Sequence, residues 1–116
     1  MQLPSFFQAT LVAAALANVS LAKTVVVRVG SGGNKFNPQK VEADVGDIVE
    51  FQFAGGKHSV VQGGYFGSCG PVAGGFNSGV KGSPSTFTVP VTSTDPIYYF
   101  CDKGSHCRGG MVGQIN

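Results

Sequence analysis

Ile97-Tyr-Tyr-Phe-Cys101-Asp-Lys-Gly-Ser-His106-Cys107-Arg-Gly-Gly-Met111-Val-Gly-Gln-Ile115 places an aromatic strand, a tight polar loop and a second strand in immediate succession. Ile97–Phe100 runs straight into Cys101, and Met111–Ile115 closes the chain. Gly104, Gly109 and Gly110 permit the positive-φ turns that so short a loop needs. The loop carries a thiol, an imidazole and a thioether at Cys101, His106 and Met111. A second histidine, His58, lies far upstream, and the chain has no third.

Outward from this stretch, the pattern is that of strands and turns. Thr24–Val29 reads as a strand and Ser31–Asn34 as a turn. Ile48–Phe53 alternates, with Val49, Phe51 and Phe53 on one face and Ile48, Glu50 and Gln52 on the other, as a half-buried strand does. His58–Gln62 follows a Gly55-Gly56 turn, and Thr86–Val91 alternates again through Phe87, Val89 and Val91. Residues 63–85 hold eight glycines and no long apolar period, so they read as a loop with one helical turn at most. About seven short strands separated by turn signals predict an all-β, antiparallel sandwich of one small domain.

Residues 1–22 stand apart. Phe6–Ala22 is apolar and Ala-rich, with no charged side chain before Lys23. Its core is too short to span a membrane, so no transmembrane segment is expected. Ser20 and Ala22 place small residues at the −3 and −1 positions of a signal-peptidase site. The expectation is a secretory leader over residues 1–22 and a folded domain over 23–116, with a buried N-terminal helix as the alternative. Export allows a disulfide, and a domain this small often needs such a staple. A net charge of +2, dispersed along the chain, argues against nucleic acid as a partner. The one Asn-x-Ser sequon, Asn18-Val-Ser20, falls inside the leader.

The residue types at His58, Cys101, His106 and Met111 point to one chemistry. A thiolate suits Cu(I), imidazole accommodates both copper oxidation states, and two His with one Cys form a roughly trigonal plane that a weak thioether completes. Singly, each residue has a bland reading: a surface histidine, a core methionine. The joint Cys-x4-His-x4-Met spacing, with one upstream His-Ser-Val, is what makes the set specific. The three cysteines are then explained by one thiolate and one disulfide. Pairing Cys101 with Cys69 or Cys107 would consume the thiol beside His106, whereas Cys69 with Cys107 leaves it free; a leftover inert thiol is the remaining alternative.

At these residues the chain resembles the cupredoxins, and is most similar to secreted fungal cupredoxins related to plant phytocyanins. The matching stretches are Phe36-Asn-Pro, Val45–Phe53, Lys57–Gln62, Cys69-Gly-Pro, Gly75–Gly79, Ile97–Cys101, Gly104–Cys107 and Met111–Ile115. The resemblance implies a Greek-key β-sandwich with copper at one end, held by His58, Cys101 and His106, Met111 axial, and a Cys69–Cys107 disulfide beside it. Phytocyanins often carry Gln at the axial position; this chain has Met111. Many fungal relatives continue into a Ser-rich tail with a lipid-anchor signal, and no such signal is seen before Asn116. The expectation is a freely secreted monomer, in the extracellular space or cell wall, that carries single electrons through Cu(I)/Cu(II).

Lys57, Lys103 and Arg108 flank the ligands, which predicts an acidic docking face on a redox protein; a small-molecule electron donor is the other candidate partner. Two alternatives keep the scaffold: copper sequestration or delivery outside the cell, and an interaction protein at a cell wall or host surface. An enzyme is not expected. A multicopper oxidase needs many histidines, and no Asp is placed by the sequence to orient an imidazole for hydrolysis.

Overall fold

The computed structural model describes residues 21–116. The expected leader lies outside them except for Leu21 and Ala22. Ten strands follow in order: β1 Thr24–Val29, β2 Phe36–Asn37, β3 Lys40–Val41, β4 Ile48–Phe53, β5 Lys57–His58, β6 Val61–Gly63, β7 Lys81–Gly82, β8 Ser85–Pro90, β9 Ile97–Phe100 and β10 Val112–Ile115. The strands read from alternation are there. The helical turn allowed in residues 63–85 is not: that segment contributes β7 and two isolated bridges, Val61 with Asn77 and Gly63 with Pro71.

Two four-stranded sheets face each other, ordered β2-β1-β4-β8 and β3-β10-β9-β6, with β5 and β7 as a separate ribbon. The chain crosses repeatedly between the sheets, which gives the Greek-key sandwich expected. The sheets are mixed and not purely antiparallel, however. β1 runs parallel to β4 with Thr24 opposite Ile48 and Val29 opposite Phe53, and β3 runs parallel to β10. Parallel neighbours need a crossover; here β2 and β3 lie between β1 and β4 in sequence, and β3 belongs to the opposite sheet.

The core is what the alternation predicts. Val49, Phe51 and Phe53 turn inward from β4, joined by Val27 and Val29 from β1 and Val89 from β8. Tyr99 enters from β9 and meets Phe36 and Phe51 edge-on, both at 4.9 Å between ring centroids. Each such fully buried side chain contributes about 1.5–3 kcal/mol over its exposed state. Tyr99 lies over Gly113 on β10, where a Cβ would come within 2.3 Å of the ring, so only glycine fits there.

Phe100 faces away from this core. With Val61, Val112 and Cys107 it forms a second small cluster on the far side of the β9 sheet. The Ser68–Cys69 stretch lies against it, with the Ser68 carbonyl 3.6 Å from Cys107 Sγ, fastened by a Cys69–Cys107 disulfide that closes a separation of 38 residues. The long glycine-rich segment is therefore tied down, and Cys101 is the one free cysteine.

Candidate metal centre

The β9–β10 hairpin sets the position of two donors. Phe100 pairs with Val112, and beyond that register the Cys101 N–H donates to the Met111 carbonyl at 3.1 Å. The connecting loop folds on itself: the N–H of His106 donates to the Lys103 carbonyl and the N–H of Met111 to the His106 carbonyl. Gly104 and Gly110 take φ of 52° and 110° there. The loop is thus held by its own backbone, and His106 is swung back beside Cys101. His58 arrives from β5, where it pairs with Lys81 of β7. The small ribbon brings that one imidazole across the end of the sandwich.

Three donor atoms converge. His58 Nδ1 and His106 Nδ1 are 3.2 Å apart, and Cys101 Sγ lies 3.5 Å from His106 Nδ1 and 4.0 Å from His58 Nδ1. A triangle with these sides has a circumradius of about 2.1 Å, within the roughly 2.0–2.3 Å of metal–nitrogen and metal–sulfur bonds. One ion therefore fits all three at once. Both histidines turn Nδ1 inward, so to offer lone pairs each must carry its proton on Nε2. Burial holds the His58 imidazole below its ordinary pKa, assisted by the neighbouring His106 and Lys103 charges; a hydrogen bond with the Gly55 backbone acts the other way. A neutral ring is the ligating form.

His58 and Cys101 are buried, while His106 is partly exposed. Met111 is wholly buried in the same core cluster as Cys101, and its backbone bonds both Cys101 and His106. The structure thus gathers His58, Cys101 and His106 into one group, and seats Met111 at the base of the same loop.

Three further residues shape the centre in roles that the sequence does not disclose. Ser59 donates its N–H toward Cys101 Sγ at 3.4 Å. Its hydroxyl donates to the Asp102 carboxylate and accepts the Asp102 N–H at 2.9 Å. This pins the His58 segment to the Cys101 loop and gives the sulfur a hydrogen-bond donor. Only its place next to His58 hints at this in the sequence. Gly30 and Gly56 back the His58 ring. A Cβ on Gly30 would lie 2.5 Å from His58 Nε2 and 2.0 Å from the Gly55 carbonyl, and one on Gly56 would lie 2.9 Å from Nε2. Gly56 shows in the sequence only as part of the Gly55-Gly56 turn before His58, and no local pattern marks Gly30 among the chain's 18 glycines.

Residues 35–111 match the family of plastocyanin-like domains. Two curated proteins of Arthroderma benhamiae are similar. One, described as a probable GPI-anchored cupredoxin, is 41% identical over 103 residues, covering 88% of this chain and 55% of the relative. The other, an extracellular serine-rich protein, is 41% identical over 115 residues, covering 94% and 45%. The chain therefore spans about half the length of the curated relatives it matches. Among solved structures, a mutant plastocyanin of fern superposes with a TM-score of 0.62 at 23% identity over 79% of this chain and 98% of that one. A purple cupredoxin from Nitrosopumilus maritimus gives 0.64 at 18% identity, over 79% and 97%. These two speak for the fold. With this fold and a donor set of two imidazole nitrogens and one thiolate sulfur, His58, Cys101 and His106 are positioned to bind a single copper ion.

Proposed function

This chain belongs to the plastocyanin-like, cupredoxin family, and on that premise we propose that it is a secreted carrier of single electrons. In this reading the Met111 thioether would be a weak fourth donor to copper, and no substrate would be transformed. The observation that supports it most is the donor triangle, whose centre lies at bonding distance from two imidazoles and a thiolate. Bound copper supplies a one-electron Cu(I)/Cu(II) couple in a site whose geometry suits both states. The protein supplies rigidity: the backbone bonds within residues 101–111 and the Ser59–Asp102 bridge hold the donors, so little has to move when an electron leaves.

His106 is the donor that reaches the surface, which makes it the port for the electron. Lys57, Lys103 and Arg108, close to the ligands in sequence, are exposed. The nearby Asp102 carboxylate is engaged by Ser59. Basic charge of this kind suits an acidic face on a protein partner, and association should weaken as salt rises. The names of the two relatives support a location outside the cell. The GPI-anchored relative stands against expecting an unanchored protein, so extracellular location is the part of that expectation we retain.

Voltammetry of the copper-loaded protein tests the reading. Met111→Gln should keep an intense visible absorption and lower the reduction potential, because a harder axial oxygen favours the oxidised ion. An unchanged potential would remove Met111 from the site. Copper lost at each reduction would point to delivery in place of electron transfer.

A further inference from the structure

Far from the donor loop, the start of β1 meets a buried carboxylate. Asp47 is 2% exposed although it sits in a turn. It accepts the Asp44 N–H at 2.9 Å, the Lys23 backbone N–H at 2.9 Å and, more loosely, Lys23 Nζ at 3.4 Å. These bonds, those from the two backbone N–H groups first, hold its carboxyl below the usual range. Lys23 Nζ turns mainly to Asp44, at 3.0 Å. The Lys23 carbonyl accepts the Ile48 N–H, so this residue is fixed on both sides. Leu21 and Ala22 lie over the same turn and line a cavity of about 180 Å³ with Asp44, Val45, Gly46 and Asp47.

The nitrogen held by Asp47 is the atom that removal of residues 1–22 would set free. We infer that Asp47 is a receptor for the processed N-terminus: cleavage after Ala22 turns its hydrogen bond to the Lys23 amide into a part-buried ion pair with the Lys23 α-ammonium. The inference rests on the secreted reading. In the cleavage, water attacks the Ala22 carbonyl and the Ala22–Lys23 C–N bond breaks. Ala22 leaves as a carboxylate, and Lys23 keeps the nitrogen as an amine that is protonated at neutral pH. No residue of β1 is lost, since that strand begins at Thr24.

A charge-assisted bond is roughly twice as strong as a neutral one. The processed chain should therefore be more firmly closed at β1 than its precursor, and the gain should depend on pH. An α-ammonium beside a carboxylate has its pKa raised above the ordinary value of about 7.7–8.0. A raised pKa stabilises fully below the unfolded value, and the contribution is lost as pH rises through the folded one. Asp44 and the Lys23 side-chain ammonium are the other titratable groups at this turn, and both are present whether or not the N-terminus is free.

The test compares four copper-loaded proteins: one starting at Lys23, one starting at Leu21, and each of these with Asp47→Asn. The Lys23 form should melt about 4–8 °C above the Leu21 form at pH 6.5, and the gap should close by pH 10. Asp47→Asn should abolish the pH-dependent gap. If that variant does not fold, the α-ammonium of the Lys23 form is titrated directly by NMR and should show a raised pKa. Coincident melting of the two starts at both pH values, or an α-ammonium at its ordinary pKa, overturns the capture. Mass spectrometry of the exported protein reads the start site separately: Lys23 upholds the leader, and any other start overturns both.

Discussion

Replacing Gly30 by alanine separates backbone strain from crowding at the metal centre. Gly30 has φ of +81°, and Gly32, two residues on, has φ of +79°. A left-handed conformation costs an alanine about 1–2 kcal/mol, so both substitutions carry that term equally. Their surroundings differ. The Cβ of Gly32→Ala meets only the end of the Lys35 side chain, at 3.6 Å, which is ordinary contact. The Cβ of Gly30→Ala lies 2.0 Å from the Gly55 carbonyl oxygen and 2.5 Å from two atoms of the His58 ring. A backbone carbonyl cannot swing aside as a lysine can, so the crowding adds about 1–3 kcal/mol. Gly32→Ala should therefore cost about 1–2 kcal/mol and Gly30→Ala about 2–5 kcal/mol in urea unfolding. The His58 ring must also shift in Gly30→Ala, which changes the visible spectrum of the copper-loaded protein. Gly32→Ala should leave that spectrum as it is. Equal unfolding costs and identical spectra for the two variants would refute the idea that Gly30 is the wall behind His58.

Two further outcomes follow from the fold. Replacing both Cys69 and Cys107 by serine opens a loop whose closure spans 38 residues, and the chain-entropy relation gives a loss of about 4 kcal/mol, measurable by urea unfolding; a loss below about 1 kcal/mol would mean that residues 64–72 hold their place without the staple. Asp47 has a lowered pKa, so its contribution is complete above its unfolded value near 3.8 and fades as pH falls through the lower folded value; Asp47→Asn should flatten the acid limb of a stability–pH curve, and an unaltered limb would contradict the burial of an ionised carboxylate there.

What the sequence discloses here follows periodicity and rare residue types. β1, β4 and β9 have the limits read from the sequence, and in β4 alternation decides them, because a one-residue slip would turn Val49, Phe51 and Phe53 into water; β8, read as Thr86–Val91, runs Ser85–Pro90. His58, Cys101 and His106 stand out because histidine and cysteine are scarce in this chain, and the fold brings the three together as a group. Pairings through space are not written along the chain. The parallel match of β1 with β4 depends on a crossover between sheets, and β5–β7 consists of two residues on each side, too few to show a period. The glycine-rich segment 63–85 reads as a loop because its order comes from the disulfide, from single bridges and from scattered contacts, such as Ser78 Oγ accepting the Val60 N–H and Phe76 against Phe87, that follow no strand or helix period. Gly30 and Ser59 escape for the same reason. Each acts on a residue that another segment delivers: Gly30 on His58, and Ser59 on Cys101 and Asp102.

The central claim is that His58, Cys101 and His106 bind one copper ion through a thiolate. Titrating the metal-free protein with Cu(II) while recording visible absorption tests it most directly. An intense blue thiolate-to-copper band should rise linearly, stop at one equivalent, and be abolished in Cys101→Ser. A folded protein that stays colourless, or a band that survives Cys101→Ser, would contradict it.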